Sequence, residues 1–159
     1  MEIVKIKYIT ATLGIIIILV AVIIYASNPD VNYLQKQTEW AEKVAGAMDN
    51  QQQADQDYLA GSITKTELIS KTISNKVTVD NVVAEMEKTT PPSKYQHIHE
   101  LLLSAYKEDS KGLKIIIQGT NLTVVNQATS LFQNATARID QATNELANIT
   151  QRTIKNYSG

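Results

Sequence analysis

Residues 9–26 form an unbroken run without a charged side chain, and beyond them apolar positions recur every three or four residues almost to the end of the chain. The first pattern predicts a membrane-spanning helix. Eighteen residues of α-helix at 1.5 Å each reach about 27 Å, close to the roughly 30 Å hydrocarbon core of a bilayer. Tyr8 and Tyr25 bracket the run at interface depth, and Lys5 with Lys7 supply the positive flank that stays inside. The predicted organisation is therefore a short cytoplasmic N-terminus over residues 1–8, a transmembrane anchor over 9–26, and an extracytoplasmic domain over 27–159. The alternative, a cleaved signal peptide, needs small residues before the cut. Ile24, Tyr25 and Ala26 make a poor cleavage site. So short an inner segment leaves no room for an effector domain, which argues against a self-contained receptor. Thr10 and Gly14 form a small-xxx-small pair that would let two membrane helices approach closely, although such pairs are frequent in any apolar stretch.

Outside the anchor the three-and-four periodicity predicts helices. Asn28 and Pro29 read as an N-cap followed by a first-turn proline, and Leu34, Trp40, Ala41, Val44 and Met48 mark one broad apolar face. Between residues 49 and 57 only Ala54 is apolar, which predicts a solvated helix end or a fray. Gly61 and Ser62 break the pattern, and Thr64 with Glu67 has capping-box spacing. A second helix over residues 64–88 is expected, with Leu68, Ile69, Ile73, Val79, Val82, Val83 and Met86 inward. The β-branched stretch 77–83 also reads as a strand, yet no turn separates it from its flanks. Pro91 and Pro92 stop this helix, and Ser93 opens a third through Tyr95, Ile98, Leu102 and Ala105. The polar residues 107–111 followed by Gly112 predict a kink or a polar gap.

Gly119 and Asn121 supply a helix stop and a new N-cap, with a short hairpin over 115–117 and 122–125 as the alternative. Val125, Ala128, Phe132, Ala135, Ile139, Ala142, Leu146 and Ile149 then recur at alternating steps of three and four. That is a heptad seam in which large and small residues alternate, so a neighbouring helix can come close. Helical segments of this length with short connections predict an all-α fold, an antiparallel four-helix bundle carried on a single N-terminal transmembrane helix.

Composition narrows the function. Fifteen basic against sixteen acidic residues, with two arginines, leave no excess charge for phosphates, so nucleic acid is not an expected partner. The absence of Cys removes disulfides, thiolate zinc sites and thiol nucleophiles. Tyr95, His99, Leu102 and Ala105 after Pro91-Pro92, followed by Gly112 and Gly119, resemble a pattern in uncharacterised membrane-anchored or secreted helical proteins of archaeal and bacterial envelopes. The resemblance spans residues 61–147 and implies a helical fold outside the cytoplasm, with no functional residue to carry over. One anchor with an external bundle is also similar to LemA-type proteins, but the arginine-rich first external helix of that family has no counterpart here.

The candidate chemistry is sparse. His97 and His99 point about 200° apart on a helix and cannot jointly face one metal. His97 with Glu100 could donate two ligands, but no third is identifiable, and His99 is expected to pack beside Tyr95 or to cap the Pro91 turn. Glu108 and Asp109 diverge by about 100°, and Lys107 and Lys111 beside them predict solvated ion pairs rather than an acid/base couple. No catalytic residue, cofactor site or metal site is expected. Four N-glycosylation sequons begin at Asn121, Asn134, Asn148 and Asn156, where about two would arise by chance. With Val125 as position a, Asn134 and Asn148 both fall at outward position c. The expected function is a non-enzymatic binding or scaffolding module at the outer membrane face, held in the lipid bilayer by residues 9–26 and engaging a protein partner or a second copy. An accessory subunit of a membrane complex, or a small-ligand-binding bundle using the polar gap near 107–112, are the alternatives.

Overall fold

The computed structural model describes residues 29–119 and 122–157. The anchor segment 9–26, the Thr10 and Gly14 pair, Asn28 and the sequon residue Asn121 lie outside them. The described chain is an all-helical bundle: α1 is Pro29–Leu59, α2 is Lys65–Glu87, a 3-10 turn is Ser93–Tyr95, α3 is Gln96–Gln118 and α4 is Leu122–Tyr157. No strand occurs among the described residues. Residues 77–83 are helical despite their β-branched side chains, because packing at helical spacing outweighs a weak local preference. The hairpin alternative fails likewise, since 115–117 lie in α3 and 122–125 in α4. No described helix is long and apolar enough to cross a membrane.

Local chemistry sets the connections. α1 ends where Gly61 adopts φ 73°. There the Ser62 N–H donates to the Asp57 carbonyl at 2.8 Å and the Gly61 N–H to the Tyr58 carbonyl at 3.0 Å. This is the paired closure of a Schellman motif. Three residues later the expected capping box is in place: the Thr64 N–H donates to Glu67 Oε2 at 2.7 Å, and the Glu67 N–H donates to Thr64 Oγ1 at 3.2 Å. Those bonds from Thr64 hold the Glu67 carboxyl below the ordinary glutamate value. Gly119 caps α3 in extended backbone, with φ −179°, rather than in the left-handed form expected of a terminal glycine.

Successive helices run antiparallel, as cross-links such as Gln51 to Asn75 between α1 and α2 and Arg138 to Glu108 between α4 and α3 require. α3 is the central element: its most extensive contact is with α4, followed by that with α2, and α1 packs mainly on α2. The α4 seam is as expected, with Ala128, Phe132, Ala135, Ile139, Ala142 and Leu146 buried and Val125 and Ile149 half-buried at its ends. Gly112 produces no break in α3; it lies directly under Phe132, so close that an added Cβ would sit 2.4 Å from Phe132 Cε1. The glycine is there for approach rather than for bending.

Two expectations need correction. Residues 49–57 neither fray nor leave the bundle: α1 runs on to Leu59, with Gln51 and Ala54 almost wholly buried. On α2 the inward row is Leu68, Thr72, Asn75, Val79, Val82 and Met86, whereas Ile73 is 47% exposed and Ile69 and Val83 are half-buried. Thr72 and Asn75 occupy seam positions because both are satisfied there. Thr72 Oγ1 donates to the Leu68 carbonyl at 2.8 Å, and Asn75 Nδ2 donates to Gln51 Oε1 at 3.1 Å.

Candidate functional site

The polar groups of the interior fall into three places. At the end where α1 begins, α2 ends and α3 begins, Tyr33, Gln37 and Trp40 of α1 meet Tyr95 and His99. The Tyr33 hydroxyl accepts from Gln37 Nε2 at 2.7 Å and lies 2.9 Å from His99 Nδ1, to which it donates when that nitrogen is unprotonated. Tyr95 stacks on the Tyr33 ring with centroids 5.6 Å apart, and Trp40 meets His99 edge-on at 6.1 Å. Burial lowers the His99 pKa against the opposing effect of a hydrogen bond to the Met86 backbone, and burial also raises the Tyr33 hydroxyl well above its usual value. Both rings are therefore held neutral. Trp40 Nε1 donates to Glu85 Oε2 at 2.9 Å, and Lys94 pairs with Asp30 beside Tyr95, so the rim of the cluster is closed by charge.

His99 thus bridges α1 and α3, with Tyr33 as its ring partner in place of the expected Tyr95. His97 goes elsewhere: it is solvent-facing, with Nε2 at 3.3 Å from Glu145 Oε1 of α4. The two imidazoles are separated by the helix, and no group of three or more His, Asp or Glu among the described residues is placed to hold a metal ion.

The second place is the stretch 107–111, expected to carry solvated ion pairs beside a kink or polar gap; ion pairs are there and Lys111 is exposed, but they join α3 to its neighbours, no gap opens, and Asp109 turns inward. Lys107 Nζ pairs with Glu87 Oε1 of α2 at 2.7 Å, Glu108 Oε1 receives Arg138 Nη2 of α4 at 3.3 Å, and the Ser110 hydroxyl donates to Asp80 of α2. Asp80 also holds Lys76, and these two partners keep its carboxyl below the ordinary aspartate value against the effect of its partial burial. Asp109, between them in sequence, points inward and is 4% exposed. Burial pushes its carboxyl up to about 8, with the Glu108 charge acting in the same sense. The third place is the pairing of Gln51 with Asn75, completed by Gln51 Nε2 donating to Asp55 Oδ1 at 2.9 Å.

The outward row of α4 is where the sequence put it. Asn134, Gln141 and Asn148 are all exposed. Asn156 lies in the last turn of α4. In both described sequons the threonine is folded back on the helix, Thr136 Oγ1 donating to the Phe132 carbonyl at 2.9 Å and Thr150 Oγ1 to the Leu146 carbonyl at 2.9 Å.

Asp109, Gln51 and Asn75 could not be found by looking for apolar periodicity. The signal that would have found them is a polar residue at an uninterrupted seam position: Gln51 continues the row of Trp40, Val44 and Ala47, and Asp109 continues that of Ile98, Leu102 and Ala105. No family model, curated protein or solved structure matches this chain.

Proposed function

We propose that the chain is a non-enzymatic, single-pass membrane-anchored module that binds or scaffolds a protein partner, or a second copy of itself, at the outer face of the membrane. The observation that carries this reading is the junction: the apolar segment read as the anchor ends at Ala26, and α1 is already helical at Pro29. A bundle joined to its anchor without a linker stands on the membrane surface, with α1 leading away from it. The positive flank of Lys5 and Lys7 puts that bundle outside. The interior polar groups support the non-enzymatic part, since the Tyr33, Gln37 and His99 set and the Gln51 and Asn75 pair are engaged in joining helices. Asn134 and Asn148, exposed on one row of α4, are the positions at which the domain would carry glycans in a cell with the transferase.

Two measurements on one preparation test this. External protease on intact cells should remove a C-terminal tag, and gentle detergent extraction followed by intact-complex mass measurement should give a homo-oligomer or a complex with a second protein. Full protection of the tag, with protease activity proven on another surface protein, reverses the orientation. A mass equal to one chain plus a retained small molecule replaces scaffolding by ligand binding.

A further inference from the structure

α4 has 36 residues against 23 in α3, and the pairing of the two helices shows where the excess lies. Gly112 under Phe132, Glu108 with Arg138 and His97 with Glu145 fix the register. It brings Gln96, the first residue of α3, level with Asn148 of α4. Residues 149–157 therefore run on past the start of α3, for about 13 Å of helix. α1 begins at the same end of the bundle, since Asp30 pairs with Lys94 and Tyr33 stacks on Tyr95. The last turns of α4 thus project on the side from which the chain enters α1. From Ala26 to Pro29 the chain spans at most about 11 Å however it is folded. With the apolar segment ending at Ala26 set in a bilayer, the end of α4 reaches the headgroup layer.

The charge there is of one sign. From residue 146 onward the only acidic or basic side chains are Arg152 and Lys155. Asp30 of α1 offers them no counter-charge to spare, because it is already held by Lys94. Arg152 is exposed and takes part in no ion pair among the described residues. The far end of the bundle, where α1 turns into α2, has the opposite character: residues 49–67 hold Asp49, Asp55, Asp57 and Glu67 against Lys65 alone. A net charge of −1 conceals this division. Ile154 and Tyr157, of residue types that settle at a bilayer interface, belong to the same last turns of α4.

We propose, on the basis of the anchor reading above, that the end of α4 docks on the bilayer, with Arg152 and Lys155 meeting the phosphates of anionic phospholipids. Such a contact gives the bundle a second foothold and fixes its orientation on the surface. In a chain already anchored the encounter is intramolecular, so two cations suffice where a free protein would need more. Each basic residue at an anionic surface favours contact about five-fold, so the pair should favour the docked state by up to about 25-fold at low salt.

The test uses the full chain reconstituted in vesicles of phosphatidylcholine alone and of phosphatidylcholine with an equal part of phosphatidylglycerol. Flotation with the neutral vesicles after an alkaline wash checks the anchor by itself, and a chain that fails to float removes the anchor and the docking together. For the floated protein, amide exchange over residues 149–157 is the readout, because helix ends open most readily and contact with lipid holds them closed. Exchange should be slower in the anionic vesicles by up to about 25-fold. The double substitution Arg152→Gln with Lys155→Gln should bring the two rates together, and Lys65→Gln at the far end should leave the difference intact. High salt should abolish the difference in the native protein, which needs no variant. Equal exchange of the native chain in the two lipids overturns the docking while leaving the anchor in place. A difference that survives high salt or the double substitution overturns it as well.

Discussion

Replacing Gly112 by Ala sets two effects of known sign against each other. In the interior of a helix alanine is favoured over glycine by about 1 kcal/mol, because it costs less backbone entropy. At Gly112 the added methyl carbon would lie 2.4 Å from Phe132 Cε1, 2.7 Å from Cζ and 3.0 Å from Cδ1. Carbon atoms in contact prefer about 3.5–4.0 Å, so the ring would have to retreat by about 1 Å. Phe132 is buried in the core, so the ring can retreat only by displacing its neighbours. Overpacking of this kind costs about 1–3 kcal/mol, so Gly112→Ala should destabilise by up to about 2 kcal/mol after the propensity gain is deducted. Gly46 is the internal control. It lies inside α1 with nothing within 4 Å of its would-be Cβ, and Gly46→Ala should stabilise by up to about 1 kcal/mol. Urea unfolding at one pH measures both. A double-mutant cycle adding Phe132→Leu should recover at least about 1 kcal/mol of the Gly112→Ala loss. If Gly112→Ala stabilises as much as Gly46→Ala, the glycine is not in the α3–α4 contact and the packing of α4 argued above is wrong.

Two further outcomes follow from the same interior. Ala142→Leu should overpack the seam and cost about 1–3 kcal/mol, whereas Gln141→Leu on the exposed row should change stability by less than about 0.5 kcal/mol in the same denaturation assay; equal losses would place the sequon row of Asn134 and Asn148 inside an interface. The folded pKa of His99 lies below 6.5, so its contribution is fully present above about 6.5 and is lost as pH falls through the lower folded value. His99→Gln should flatten that acid limb of the stability profile, and an unchanged limb would show that the imidazole already ionises freely in the bundle.

What could be read from the sequence depended on whether a seam position was also apolar. α4 was legible throughout, because every member of its row from Val125 to Ile149 is hydrophobic and the row has no interruption. The exposed placement of Asn134 and Asn148 followed from it. The capping box of Thr64 and Glu67 was legible for a different reason, since both partners lie within one turn. α2 was misread in its first half, where Ile73 was preferred to Thr72 and Asn75 on hydrophobicity alone. Position outranks hydrophobicity there, because a buried amide is tolerated when its bonds are made, and Asn75 makes its bond to a residue 24 positions earlier. Such a partner leaves no trace in local periodicity. The polar stretch 107–111 misled for the converse reason: four of its five members do face charge or solvent, and the fifth, Asp109, keeps the helical period and turns inward.

The distribution of these buried polar groups also bears on how the bundle selects one alignment of its helices. A seam made only of apolar residues permits a slip of one heptad, since every layer resembles the next. Between α1 and α2 the Gln51 and Asn75 pair forbids it, because a slip would leave two buried amides unsatisfied at about 1–3 kcal/mol each. Between α1 and α3 the Tyr33 and His99 contact does the same. α4 contributes no buried polar residue among those described; its polar links to α3, Arg138 with Glu108 and Glu145 with His97, lie at the rim, and inside the seam the alignment comes from shape. Phe132 is the largest side chain of the α4 seam, and Gly112 is the one inward position of α3 without a side chain. A slip of seven residues would bring the Phe132 ring opposite Ala105 in one direction, and in the other opposite Gly119 beyond the end of α3, leaving Gly112 to face Val125 in the first case and Ile139 in the second. The first arrangement repeats the clash that Gly112→Ala would create, and the second loses the layer. Inside the α3–α4 seam one glycine under one aromatic ring therefore does what buried hydrogen bonds do between α1 and its neighbours.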